Sequence, residues 1–470
     1  MSRSKGWVGA TARVAGGVVV AATFVVAMAG AVVVPWPTHR AEPPAVTTLP
    51  EPADAVVACA GSLLTLGRDA ANATGLADAA GVDLTAAAAA GAEVTQSTLA
   101  ASDVPAGTGP TALVTAPHDG ARTDVAAAQS VTASDADLRG FAASACTPPL
   151  MESWLVGGSA ATGAADLVLL SNPGEVAALV DLTVYGVGGG TVPSAGRDIV
   201  VPPASQRVVP LAALGLGEKS PVVRVSATGA PVQAALQASV TRTLVPGGVE
   251  QVGVAAAPAS VQLVPAFSVT RAPGEPGASD IMTLARLLAP SADATATVTV
   301  TPVGGGSSPI EPLSVPLTAG APLELELEGL PIGSYTARIE ATAPVVAAVW
   351  SATGFVAGSD FGWYAATEAV AVPSLVAVAD GASPVLTIAN PGEAPISVGL
   401  VDAAGAGATV TLQVPAHGAV QRSVAAGAVY LLVPDAPVHA NVAYAGEGAL
   451  AAYAVTPADT AAPAVVVHPG

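Results

Sequence analysis

The sequence predicts an all-β protein, with tandem immunoglobulin-like β-sandwich units following one N-terminal transmembrane helix. Three observations carry this. Leu323-Glu324-Leu325-Glu326-Leu327-Glu328 alternates with period two, which puts Leu on one face of a strand and Glu on the other. Related segments recur at intervals of about one sandwich, roughly 100 residues. Near the start, Val14 to Val34 carries no charge.

The elements follow in chain order. Residues 1–13 hold Arg3, Lys5 and Arg13 and no acid, and they are expected in the cytoplasm. The apolar run 14–34 spans about 31 Å as a helix, enough for a bilayer core of about 30 Å. Ala27-Met28-Ala29 offers a small-x-small site, so a cleaved signal segment stays open. The uninterrupted run to Val34 favours an anchor. Pro35-Trp36-Pro37, Pro43-Pro44, Pro50 and Pro52 then read as a Pro-rich linker over 35–54.

Cys59 and Cys146 are the two cysteines, 87 residues apart. Outside the membrane such a pair bridges, here the first and last strands of one unit, with Cα atoms expected about 4.4–6.8 Å apart. Neither a CxxC spacing nor a nearby His favours a redox or metal role.

Four copies of one unit follow. Ala230-Pro231-Val232, Ala343-Pro344-Val345 and Ala436-Pro437-Val438 each open a strand, while the first unit has Arg122 in place of Pro and keeps the spacing from Gly120 to Ser130. Leu170-Ser171-Asn172-Pro173-Gly174 matches Ile388-Ala389-Asn390-Pro391-Gly392, with Leu288-Ala289-Pro290 between them. Asn-Pro-Gly suits a type II turn. Asp137 to Ala143, Val249 to Ala255 and Asp360 to Ala366 align as a further element. Units are therefore expected at 55–150, 151–260, 261–371 and 372–470. Thr297-Val298-Thr299-Val300-Thr301 alternates likewise, and turns recur at Gly188-Gly189-Gly190, Gly304-Gly305-Gly306 and Gly405 with Gly407. Dense Ala leaves room for a helical patch only near Ala77–Ala90.

Composition excludes several functions. Lys plus Arg is 16 against Asp plus Glu at 35, a net charge of −19, so no basic surface can form and nucleic acid is not a partner. Hydrophobic residues at 51% exclude a solvated disordered chain. With 50 Gly and 41 Pro, long coiled coils are excluded as well.

No catalytic, cofactor-binding or metal residues are expected. His39, His118, His417, His439 and His468 stand apart in sequence, without metal spacing. Gly157-Gly158-Ser159-Ala160-Ala161-Thr162-Gly163 lacks the Lys of a phosphate loop and reads as a β-turn. Asp135 with Asp137 reads as a solvated turn, and Glu324, Glu326 and Glu328 as a solvent face. Asn72-Ala73-Thr74 is a formal sequon given no weight.

Cys59-Ala60-Gly61-Ser62-Leu63-Leu64, Gln129-Ser130-Val131, Cys146, Trp154-Leu155-Val156-Gly157-Gly158 and Leu167 to Gly174 resemble an actinobacterial family of exported, N-terminally anchored proteins of unknown function. Val252-Gly253-Val254 departs from it by lacking the aromatic seen at Trp363. The resemblance implies export and β architecture and supplies no catalytic residue. The expected role is a membrane-anchored extracellular structural or binding protein of the bacterial cell envelope, without catalysis. Residues 14–34 would hold it in the cytoplasmic membrane, with an envelope glycan or protein as partner. The alternative is a glycan-processing enzyme or accessory subunit with a carboxylate-lined cleft between β units.

Overall fold

Four β-hairpins, one from each repeat, organise the body of the protein. They are β1 (Val125–Ser134) with β2 (Arg139–Cys146), β3 (Gln233–Arg242) with β4 (Val245–Val252), β5 (Gly333–Ala352) with β6 (Phe361–Ala365), and β7 (His439–Gly446) with β8 (Ala449–Ala454). The computed structural model describes residues 6–33, 46–48, 51–67, 75–105, 107–215, 217–271, 282–404, 409–446, 448–458 and 465–467. Residues 1–5, much of the Pro-rich linker, the Asn72 sequon, the Gly405 turn, His39 and His468 lie outside the described residues.

The chain divides into two units, Met1–Pro50 with Pro463–Gly470, and Glu51–Ala462. In the first, one helix covers Gly6–Val33 and contains a 20-residue apolar span, Ala12–Ala31. It begins well before Val14, because nothing from Gly6 to Arg13 breaks a helix. Val46–Thr48 pairs antiparallel with Val465–Val467.

In the second unit, each repeat builds two facing antiparallel sheets. The last repeat shows the order plainly. Ser374–Ala377, Val429–Pro434, Ile396–Asp402 and Val410–Val414 form an outer sheet, and Ala419–Ser423, Val385–Ala389, β7 and β8 form an inner one. Leu386, Ile388, Val398, Leu400, Leu432 and Val442 fill the space between. The two middle repeats follow the same plan. In the third, the 20-residue β5 threads both sheets: its first half pairs with Ala294–Pro302, its second with Thr283–Leu288. In the first, Ala55–Ala58, Thr111–Thr115 and Thr95–Thr98 face Asp83–Ala88, β1 and β2.

The repeats agree in register. The residue two after Pro231, Pro344 and Pro437 pairs with the residue two before Pro173, Pro290 and Pro391: Gln233 with Ser171, Val346 with Leu288, His439 with Ala389. Three expectations need correction. No strand begins at Pro344, since β5 runs through it unbroken. The Asn-Pro-Gly turns are not type II, because neither Gly174 nor Gly392 has positive φ. The buried Asn closes each turn itself. Asn172 Oδ1 accepts from Gly174 N at 3.0 Å and Asn390 Oδ1 from Gly392 N at 2.8 Å, while each Nδ2 donates to carbonyls beyond the turn. The Ala-rich stretch 77–90 forms no α-helix either, only a short 3-10 turn beginning at Ala89. It lies largely in strands Leu76–Ala80 and Asp83–Ala88, because tertiary pairing overrides Ala propensity.

The four sandwiches close into a ring. Strand β2 packs against β4, β4 against β6, β6 against β8, and β8 against β2. A short parallel pairing of Ala100–Ala101 with Ser205–Gln206 even carries one sheet across the first junction.

Cys59 and Cys146 are disulfide-bonded, with Cα atoms 4.1 Å apart. This is tighter than the expected range for a reason of register. Ala58 and Thr147 exchange both backbone hydrogen bonds, so the cysteines form the next, non-hydrogen-bonded pair, where strands approach most closely. The bond ties the end of Ala55–Ala58 to the end of β2 and joins the two sheets of the first sandwich. Cys146→Ser is expected to lower stability by about 2–4 kcal/mol. A chemical denaturation series on wild type, reduced wild type and variant measures this; equal midpoints for all three would contradict it.

Candidate functional site at the ring axis

The ring axis is built by short backbone approaches, and one carboxylate caps them. Asp360 precedes β6 and is fully buried. It accepts one backbone N–H from each sandwich: Phe141 at 3.0 Å, Val249 at 3.2 Å, Phe361 at 3.0 Å and Leu450 at 3.3 Å. These four donors are structural equivalents, so the positions equivalent to Asp360 are Gly140, Gly248 and Ala449. Glycine is required at the first two. A Cβ at Gly140 would lie 2.8 Å from Asp360 Oδ1, and one at Gly248 only 2.5 Å from it. The sequence alignment of this element was out of step. It matched Asp360 with Asp137 and Val249, whereas Asp137 sits in an exposed hairpin turn.

One residue further along sits Glu250, with Ala142, Gly362 and Ala451 as its equivalents. It too is fully buried. Its Oε1 accepts from Gln251 N at 2.9 Å, and the Ala143 and Ala452 amides of the neighbouring sandwiches also favour its charged form. Burial pushes the Asp360 carboxyl up to about 7, against the pull of its four amides. Burial, reinforced by Asp360, raises Glu250 well above the carboxylate range. No cationic side chain contributes at either carboxyl. These are the carboxylates that the ring brings together, and they are sealed, with no cleft between them.

Around this centre, buried polar side chains clasp the backbone of the neighbouring sandwich. Between the first and second, Gln237 holds both N and O of Leu64 at 2.8 Å, Gln206 donates to Ala60 O at 3.0 Å, and Gln251 donates to Gly61 O at 2.8 Å, which Gln129 of the first sandwich also reaches at 2.8 Å. The Cys59-Ala60-Gly61-Ser62-Leu63-Leu64 motif is therefore a strip of backbone held by glutamines. Between the second and third, Arg286 donates to Gly158 O and Pro221 O, pairs with Glu324 at 2.7 Å and lies over Trp363. Glu324 lies on the expected exposed face and from there neutralises a buried guanidinium. The Gly157–Gly163 loop is clasped as well, since Asp166, pushed up by burial to about 7, accepts from Ser159 N. Asn441 Nδ2 donates to Ala266 O at 2.8 Å between the third and fourth, and Asp124 accepts from Leu375 N at 2.7 Å between the fourth and first.

The axial strands end at a cavity of about 110 Å³. Residues that follow or end all four line it, among them Ala145, Val254, Ala256, Trp363, Glu368 and Ala454. Asn441 also lines it, and its Oδ1 is buried without a partner. His439 sits beside this wall, its Nδ1 2.8 Å from Thr367 O, and burial lowers its basicity. His118 pairs with its neighbour Asp119 and His417 with Glu393. Among the described residues no group of His, Cys, Asp and Glu could hold a metal. Sequence reasoning missed Asp360, Glu250 and Asn441. The only signal was an acid or amide set in a run of small apolar residues.

A family profile described as "Family of unknown function (DUF5719)" matches residues 100–425. No curated protein matches the sequence. Among the solved structures that align with it are two from adhesion or biofilm proteins by their titles. "Biofilm associated protein - BSP domain" does so at 9% identity and TM-score 0.13, over 73% of this chain and 64% of that one. "Crystal structure of tetra-tandem repeat in extending region of large adhesion protein" does so at 14% identity and TM-score 0.11, over 80% and 90%. The chain spans 64% of the length of the first. Scores this low carry no argument.

The axial acids have a pH signature. Both are raised in the folded state, so the stability they contribute is fully present below their ordinary carboxylate values and is lost as pH rises through about 7 for Asp360. Glu250→Gln keeps the shape and cannot ionise, so its melting temperature should fall less than that of wild type between about pH 5 and 8. Parallel slopes in a melting series would contradict this. Asp360→Ala leaves four buried N–H groups without an acceptor and should cost at least about 3 kcal/mol by urea unfolding. A loss below about 1 kcal/mol would count against the axial role.

Proposed function

We propose that this protein, which belongs to the DUF5719 family of unknown function, is a membrane-anchored, non-catalytic binding protein of the bacterial cell envelope, with residues 51–462 outside the cytoplasmic membrane. One observation carries the reading: the apolar helix span Ala12–Ala31, preceded by Arg3 and Lys5. Export also suits the Cys59–Cys146 disulfide, which persists in oxidising surroundings. Closure into a ring favours a compact binding body over an extended spacer. The axial carboxyls are sealed from solvent, which favours binding over glycan hydrolysis, where two acids must flank the bond.

Lys5 and Lys219 are the two lysines, and Lys219 is exposed. A membrane-impermeant amine reagent applied to intact cells stripped of wall should label Lys219 and spare Lys5, with Lys5 labelled only after lysis. Peptide mass spectrometry reads the sites. Labelling of Lys5 without Lys219 in intact cells would reverse the topology.

A further inference from the structure

We infer that the ring opens at the junction between its fourth and first sandwiches, and that the two axial acids, Asp360 and Glu250, gate this opening. The inference concerns the body 51–462 alone and does not depend on what the protein binds.

The four junctions are unequal. Three of them join sandwiches that follow one another in the chain, through the short connections 147–151, 253–258 and 366–373. The fourth joins the two ends of the body, so it parts without stretching any connection. Polar clasps differ in the same sense. The first and second sandwiches are held by three glutamines, by the Arg207–Asp103 ion pair at 2.8 Å and by the pairing of Ala100–Ala101 with Ser205–Gln206. Arg286 spans the second and third. Asn441 spans the third and fourth, where Gly304 N also donates to Ala419 O at 2.9 Å. Between the fourth and first, Asp124 accepts from Leu375 N at 2.7 Å, and beside that bond only small apolar groups meet in one cluster, Ala128 and Ala143 against Val376 and Ala377. Packing is open there too. A cavity of about 70 Å³ separates Asp124 and Cys146 from Leu375 and Tyr453, and a wider one of about 590 Å³ separates Thr132 and Arg139 from Gly381 and Gly448. An unfilled gap loses the dispersion contacts of a packed face.

The axial acids sit across this seam. Phe141 of the first sandwich and Leu450 of the fourth both donate to Asp360 Oδ2, at 3.0 and 3.3 Å, so one oxygen bridges the junction. Glu250 acts on Asp360 from β4, and Tyr364, on β6, lies within its field. Strands β2 and β8 contribute Gly140, Ala142, Ala449 and Ala451 to these layers, which carry no side-chain charge. Burial raises both acids, so they favour the closed seam fully below their ordinary carboxylate values, and this advantage is lost as pH rises through about 7 for Asp360. Asp124, also raised by burial, acts in the same direction. Parting the seam admits water to the ionised carboxylates, which the closed axis denies them.

Each junction carries a reporter amide bonded across it: Leu64 N on Gln237, Ala256 N on Ala366 O, Gly304 N on Ala419 O and Leu375 N on Asp124. Hydrogen exchange of the full chain in detergent, resolved to single amides by mass spectrometry and corrected for the chemical rate, compares all four in one molecule. Global unfolding moves them together, whereas opening at the seam moves Leu375 alone. At about pH 6, Leu375 should exchange at least about tenfold faster than the other three. By about pH 8.5 that lead should widen about tenfold further, the change produced by a carboxyl at about 7 when closed and at its ordinary value when open. The double variant Asp360→Asn, Glu250→Gln should lose most of the widening, and Glu250→Gln alone should reduce it, which keeps the test sound if the double variant does not fold. Equal protection of the four amides, or faster exchange at Leu64, Ala256 or Gly304, would overturn the seam. A lead that does not change with pH, or that widens undiminished in the folded variants, would overturn the gate.

Discussion

The carboxyl of Asp360 is the point on which the ring depends. Strand ends that converge on an axis carry N–H groups that no neighbouring strand can satisfy, and burying four of them bare would undo the closure. A single side chain with two oxygens takes all four, one from each sandwich. Its reach requires the three equivalent positions to be Gly, Gly and Ala, and one layer further Glu250 has Ala, Gly and Ala around it. Small residues at the axis are thus a geometric demand. They help explain a chain rich in Ala and Gly with only 3% aromatics.

Much of the sandwich architecture is legible in the sequence because it rests on local signals. Period two at Leu323–Glu328 marks a strand, and the strand Leu323–Glu326 has its Leu half-buried and its Glu exposed, with Leu327 and Glu328 in the turn that follows. The Pro-anchored strands share a register because the same small residues must pack on the same partner strand. The ring was not legible. Asp360 meets partners 219, 111 and 90 residues away, all through backbone, and backbone donors leave no trace in residue identity. For the same reason the element beginning at Asp137 was aligned on a shared aspartate, when the true equivalence runs through Gly140. Asn-Pro-Gly misled similarly: the side chain of Asn did the work that positive φ at Gly would have done.

Charge is used sparingly, and the few buried charged groups sit at the junctions. Arg286 and Glu324, Asp166, Asp124 and the axial acids each hold one sandwich to another or fix a loop at such a junction. The candidate site was harder to read than the fold because Asn441 plays both parts. Its Nδ2 belongs to the junction with Ala266, and the residue also lines a cavity shared by all four sandwiches.

The unequal axis also limits how such a chain can have multiplied. Four identical copies would bring either four aspartates together, which like charges forbid, or four glycines with no acceptor between them. A duplicated ancestor must therefore have lost its symmetry at this position before, or as, the ring closed. The sandwiches are in consequence not interchangeable parts. Moving the third repeat into the place of the second would set two acids into one layer, and replacing it with a copy of the first would leave the layer with none.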